Sequence, residues 1–220
     1  MEFTTIQRGF ATTRSKRTLR YYSVGNAKDC IGPLSHGSEV FVLTQGQFSL
    51  FDVMEYLLEV AGPADVNIAT WTAAGADTKQ AKIFLKNGKI KSIRWVVDRS
   101  FMARQPSYCQ ILLDEFGDCI RTTRAHAKFI TVINDDWAFA VRTSMNLNSN
   151  PRIEDVEISE DRDLANYLVK FVDECFEKLP PADNFKSDGV TKLKPFDEHD
   201  NKPMVSLDGF ADINDLLGQR

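Results

Sequence analysis

Residues 121–133 read Arg121-Thr-Thr-Arg124-Ala-His126-Ala-Lys128-Phe-Ile-Thr-Val-Ile133, and the chain continues Asn134-Asp135-Asp136-Trp137-Ala-Phe-Ala-Val-Arg142-Thr143-Ser144-Met-Asn146-Leu-Asn148-Ser-Asn-Pro151-Arg152-Ile-Glu154. Two strand-like runs, 119–133 and 137–145, flank the polar triplet Asn134-Asp135-Asp136, a pattern that predicts an antiparallel hairpin. Residues two apart on a strand face the same way. His126 and Lys128 should therefore point together, and the returning strand should bring Ser144 and Asn146 to the same place. A nucleophile or base, a fixed cation and two small polar donors are the groups needed to handle a phosphate.

Upstream, the pattern alternates. Residues 40–43 form a short apolar strand, and Thr44 and Gln47 have the spacing of a capping box. Leu50, Phe51, Met54, Leu57, Leu58 and Ala61 then recur at helical spacing up to Gly62-Pro63. A second strand is expected over 66–71, a helix over 77–85, a third strand over 90–97 and a helix over 107–116, stopped by Gly117. Such alternation predicts an α/β sandwich with parallel strands; the hairpin makes its sheet mixed. Downstream, 156–158 offers one more strand. Leu164, Leu168, Phe171, Cys175 and Leu179 mark a long amphipathic helix over 161–179, ended by Pro180-Pro181. There is no internal repeat, so the His-Lys stretch occurs once.

Composition sets the bounds. The 220 residues suffice for one core without staples, and 43% hydrophobic and 26% charged residues are ordinary for a globular domain. The four cysteines, Cys30, Cys109, Cys119 and Cys175, contain no Cys-x-x-Cys pair, and buried reduced thiols are expected. With three histidines, a zinc site has few ligands to draw on; Cys30 and His36 could supply half of one, but a plain loop is the better reading. No metal or cofactor is expected. The absence of a leader-like segment or a long apolar run points to a cytoplasmic protein with no membrane partner.

Charge is uneven along the chain. Residues 1–38 form a basic arm, with Arg8, Arg14, Lys16, Arg17, Arg20 and Lys28 against Glu2 and Asp29, and with Tyr21 and Tyr22 beside the cluster. Basic side chains next to aromatics suit a nucleic-acid backbone and its bases, although a solvated extension reads equally well. Residues 39–180 form the folded domain. Residues 181–220 are an acidic tail in which Ile213, Leu216 and Leu217 share a helical face. That face is a candidate docking helix for a protein partner, with an unstructured tail the equal alternative.

His126-Ala-Lys128 and Thr143-Ser144-Met145-Asn146 resemble the signature of the phospholipase D superfamily, His-x-Lys, four residues, Asp, then Gly-Ser-x-Asn. The alternation over roughly residues 38–180 is similar to that family's α-β-α sandwich. The version here most resembles short, single-motif members from phages and mobile elements. Two departures stand out: the signature Asp falls at Ile133, and Thr143 replaces the Gly, with a hairpin three residues longer.

The resemblance implies a metal-independent phosphodiesterase. An imidazole attacks phosphorus and a second imidazole protonates the leaving oxygen. His126 takes the attacking role, Lys128 steadies phosphoryl charge, and Ser144 and Asn146 donate hydrogen bonds. Glu154 is the implied supporting acid, with Asp136 the next candidate. Asn148, Arg152, Arg17 and Arg20 are candidate substrate contacts. One motif copy supplies one His, so a homodimer with a shared site is expected, as in the family's single-motif nucleases. The substrate expected is nucleic acid, DNA before RNA. The competing reading is a weak or inactive nucleic-acid-binding module docked to a larger assembly by its tail. Phospholipid hydrolysis ranks third, because it normally comes with two motif copies.

Overall fold

The computed structural model describes residues 18–21, 25–147 and 152–182. The docking-helix segment, Arg17, Tyr22 and Asn148 lie outside the described residues. Eight strands form one sheet in the order β1-β2-β8-β7-β6-β3-β4-β5. They are β1 (Thr18–Tyr21), β2 (Glu39–Thr44), β3 (Ala64–Thr70), β4 (Ile90–Asp98), β5 (Ile120–Thr123), β6 (Phe129–Ile133), β7 (Ala138–Thr143) and β8 (Glu154–Glu160). The helices are α1 (Ala27–Ile31), α2 (Leu50–Ala61), α3 (Gly75–Lys86), α4 (Phe101–Arg104), α5 (Pro106–Phe116) and α6 (Arg162–Lys178).

The sheet is mixed, as expected. β1 runs parallel to β2, and β3, β4 and β5 are mutually parallel. β2–β8, β8–β7, β7–β6 and β6–β3 are antiparallel. β6 and β8 therefore run against the other strands. The carboxyl ends of β2, β3, β4, β5 and β7 meet the amino ends of β6 and β8 along one rim, which is where α/β sheets gather ligand-handling side chains.

Regular structure begins inside the basic arm. β1 extends the sheet edge, and α1, capped by Asn26, buries Ala27, Cys30 and Ile31. α2 also starts differently from the sequence expectation. Thr44 stays buried at the end of β2, and Gln45–Gln47 form a tight polar turn with Gly46 at φ 81°. Ser49 and Asp52 make the capping box instead.

The sheet is covered unequally. The main core lies on the face carrying α1, α2, α3 and α5, and includes Val66, Ile68, Trp95, Val97, Ile130, Val132, Phe139, Val141, Val156 and Ile158. α6 covers part of the opposite face. Val172 and Cys175 pack on Ala69, Val96 and Phe129, while Leu164 and Ala165 pack on Ala138 and Ala140. Full burial of one such Leu or Val contributes roughly 1.5–3 kcal/mol. Asp161 caps α6 by accepting the N–H of Leu164 at 3.0 Å.

Trp137 does pack the hairpin, stacked on Phe139 with ring centroids 5.2 Å apart. His36 stacks on its other side at 4.1 Å and lies 3.7 Å from Glu160, while Cys30 is buried in the core, so the two form no joint metal site.

Candidate active site

The single long strand expected over 119–133 is two strands. β5 ends at Thr123 on the sheet edge, and β6 begins at Phe129 three places inward, between β7 and β3. His126 and Lys128 sit in the crossing between them, immediately before β6. Asp98, the last residue of β4, shapes that crossing. Its Oδ2 accepts the N–H of Ala125 at 3.2 Å, and its Oδ1 accepts the N–H of Ser100 at 2.9 Å and the Ser100 hydroxyl. A carboxylate holding backbone N–H groups is a strong local anchor. The Lys128 Nζ donates to the His126 carbonyl at 3.2 Å.

His126 is exposed, and its imidazole meets the indole of Trp71 edge to face, with centroids 5.5 Å apart at 64°. Trp71 follows directly after β3. The Arg104 guanidinium lies 3.3 Å from the centroid of the Trp71 ring and donates to the Trp71 carbonyl at 3.0 Å. It also lies 3.8 Å from Asp98. Trp71, Asp98 and Arg104 were not singled out by sequence reasoning. Their only signal was position, at or just past the end of a strand for Trp71 and Asp98 and at the end of α4 for Arg104.

The second half of the site comes from β7 and β8. Thr143 pairs with Val156, which brings Ser144 to the start of β8. The Ser144 hydroxyl donates to Glu154 and accepts the N–H of Asp155 at 3.0 Å. Thr143, in the position of the signature Gly, uses its hydroxyl twice: it donates to the Asp155 carbonyl and accepts the N–H of Met145 at 2.9 Å. Beyond β7 the chain crosses to the end of β3, where Leu147 bridges to Ala73, donates to the Thr72 carbonyl and accepts from Ala74. Asn146 is thereby held between the ends of β7 and β3. Its Oδ1 is buried with no hydrogen-bond partner among the described residues, an arrangement that costs roughly 1–3 kcal/mol.

Burial lowers the pKa of Lys128, and the Glu154 carboxylate opposes the shift. Glu154 is thus close enough to act on Lys128 while it accepts from Ser144. The imidazole of His126 makes no hydrogen bond among the described residues.

The remaining candidates separate cleanly. Arg152 is exposed two residues before β8, next to Ile153, which is 70% exposed. Only the backbone of Arg20 is described, paired with Val42 in the β1–β2 ladder. Asp136 must be withdrawn as a supporting acid. It lies in the β6–β7 turn, at the opposite end of the sheet from His126 and about 16 Å away for a five-residue strand. Among the described residues, no three His, Cys, Asp or Glu side chains converge to hold a metal ion. No helix among them is long and apolar enough to cross a membrane.

No family model matches the sequence, and no curated protein matches it. Solved structures do. Nuc from Salmonella typhimurium, a phospholipase D family member, aligns over 66% of this chain and 98% of its own, with TM-score 0.50 and 14% identity. The chain has the phospholipase D fold. NucT from Helicobacter pylori aligns over 65% of this chain and 99% of its own, with TM-score 0.46 and 14% identity. Polyphosphate kinase from Porphyromonas gingivalis aligns over 62% of this chain and 26% of its own, with TM-score 0.47 and 11% identity.

Within the phospholipase D fold, the signature position at Ile133 falls at the far end of β6, where Ile133 packs against the cluster under Leu164 and Ala165. The missing Asp is therefore not a group taken from the rim that carries His126. Ile133 contributes apolar packing beneath α6 instead.

Proposed function

We propose that this protein is a metal-independent phosphodiesterase acting on nucleic acid through a covalent His126 intermediate, in a site completed by a second copy of the chain. The observation that carries this reading is the gathering of His126, Lys128, Ser144, Asn146 and Glu154 on one rim of the sheet, from three neighbouring strands.

The chemistry follows from the groups. A ring nitrogen of His126 gives its lone pair to phosphorus. The bond to the leaving oxygen breaks, and that oxygen takes the electron pair and a proton from a second imidazole. The same imidazole then takes a proton from water, whose oxygen attacks phosphorus and breaks the P–N bond. Nucleophilic catalysis of this kind divides one difficult displacement into two. Lys128 supplies positive charge to the phosphoryl oxygens. The Asn146 amide can donate to the same oxygens, and Ser144 ties Glu154 to the end of β7.

The second imidazole is the partner's His126 in this reading. The exposure of His126, its lack of a hydrogen-bonded acid among the described residues, and the exposed Ile153 beside Glu154 all suit a rim that another subunit covers. The Glu154 carboxylate would then serve Lys128 and Ser144 first and the histidines second.

The test uses the full chain in EDTA with single- and double-stranded DNA and RNA, comparing wild type with His126→Ala. Cleavage abolished by the substitution supports the reading. Binding to these polymers without cleavage would favour the alternative of a weak or inactive nucleic-acid-binding module docked to a larger assembly. Light scattering that returns a monomer at working concentration would remove the shared site.

A further inference from the structure

Thr143, the last residue of β7, stands where the signature has Gly. The backbone there does not call for glycine. Thr143 pairs with Val156 in the antiparallel ladder, and among the described residues no non-glycine residue has a positive φ. A β-branched side chain suits such a strand end. What it adds is a hydroxyl, which donates one hydrogen bond and accepts others.

Three bonds converge on this residue. Its N–H donates to the Lys128 carbonyl at 3.3 Å. Its hydroxyl donates to the Asp155 carbonyl and accepts the N–H of Met145 at 2.9 Å. The same Asp155 carbonyl accepts the N–H of Ser144 at 3.3 Å, and the N–H of Asp155 donates to the Ser144 hydroxyl at 3.0 Å. Thr143 is therefore bonded to Lys128 itself, to the neighbour of Glu154 and to the neighbour of Asn146. Asn146 depends on such support. Its Oδ1 has no hydrogen-bond partner among the described residues, so its placing falls to the backbone on either side. On one side Thr143 holds the Met145 N–H; on the other, the Leu147 N–H donates to the Thr72 carbonyl at 3.3 Å. Met145 and Leu147 are both buried in the main core.

We infer that Thr143 is a positioning residue for the phosphate site, its hydroxyl holding Asn146 and the Ser144–Glu154 pair in one fixed relation to Lys128. This rests on the phosphodiesterase reading above and adds the group that arranges its donors in advance. Donors already in place cost no reorganisation as charge builds on the phosphoryl oxygens. A slack of about 1 Å in such a constellation costs up to about a hundredfold in rate. The contribution belongs to the hydroxyl, because the bond to Lys128 is made by the backbone and survives any side-chain exchange.

The experiment compares the full-length wild type with Thr143→Val, which keeps the shape and loses the hydroxyl, and Thr143→Ser, which keeps the hydroxyl and loses the methyl. Kinetics are measured on a small activated phosphodiester. Affinity for orthovanadate, which takes the five-coordinate geometry of phosphoryl transfer, is measured by calorimetry in metal-free buffer and needs no turnover. Hydrogen exchange is followed at the Met145 amide. Thr143→Val should lower kcat about tenfold with KM within about twofold. It should weaken vanadate by a similar factor of about ten and speed exchange at Met145 about tenfold. Thr143→Ser should stay within about threefold of wild type in all of these. Equal losses in the two variants, wild-type vanadate affinity in Thr143→Val, or no vanadate binding by wild type would overturn the inference. Hydroxyl-dependent vanadate binding without hydrolysis by wild type would uphold the role of Thr143 and overturn the catalytic reading instead.

Discussion

The indole of Trp71 and the imidazole of His126 meet edge to face, with centroids 5.5 Å apart. Trp71 is fixed from behind by the Arg104 guanidinium, stacked on the ring and bonded to its carbonyl. Trp71 therefore acts as a positioning residue for an otherwise exposed ring. Aromatic pairs of this kind contribute about 0.5–1.5 kcal/mol. Trp71→Ala should lower kcat on a small phosphodiester by about tenfold with little change in KM, and Trp71→Phe should recover most of it. A change confined to melting temperature would assign Trp71 to packing only.

Asp98 holds the same loop from the other side. Asp98→Ala leaves the N–H groups of Ala125 and Ser100 without their acceptor, a loss of roughly 1–3 kcal/mol in stability if both stay buried. Because Ala125 precedes His126, kcat should fall as well. Asp98→Asn keeps an accepting oxygen and should restore the melting temperature before it restores full activity. Thermal denaturation and steady-state kinetics on the same preparations distinguish these effects.

The pH dependence has a predicted direction. Burial lowers the pKa of Lys128 and Glu154 raises it. Removing the Glu154 charge should lower it further, so that the ammonium is lost at lower pH. The alkaline limb of the kcat/KM profile should move to lower pH in Glu154→Gln. A profile that stays in place would show that Lys128 does not set that limb.

How much of this was legible in the sequence depends on range. The strand–helix alternation, the hairpin and α6 follow from local period and turn chemistry, and they emerged within a residue or two of their observed bounds. The pairing of His126 with Lys128, and of Ser144 with Asn146, was visible as a motif. The division of 119–133 was not, because Ile120-Arg-Thr-Thr123 and Phe129–Ile133 are both rich in β-branched residues and read as one run, while the crossing between them is anchored by Asp98, more than twenty residues earlier. Trp71 and Arg104 were invisible for the same reason. Each lies beside an ordinary strand or helix end, and only the sheet order brings them to His126. Asp136 seemed a plausible supporting acid by sequence distance, but the hairpin sends it to the opposite end of the sheet.

Asp77, in the first turn of α3, gives a pH dependence of stability. Its carboxyl is pushed up to about 6 by burial and by Asp52, and its Oδ2 has no hydrogen-bond partner among the described residues. A carboxyl raised above its unfolded value of 3.8 stabilises the fold only while protonated. That contribution is present at low pH, falls as pH rises from about 4 to about 6, and is absent above. Asp77→Asn should therefore stabilise the protein at pH 7.5, by about 1 kcal/mol after allowance for solvent screening, and should have no effect below about pH 4. Chemical denaturation at the two pH values checks this.

The most direct measurement is the covalent state of His126 during turnover. A nucleic-acid substrate is mixed with excess enzyme in EDTA, quenched in alkali, where a phosphoramidate survives, and the protein is digested for mass spectrometry. A nucleotide joined through its phosphate to the peptide that contains His126 is expected, absent from His126→Ala, which should also cleave nothing. Cleavage that persists in His126→Ala, or turnover with no adduct on His126 at any time point, would contradict it.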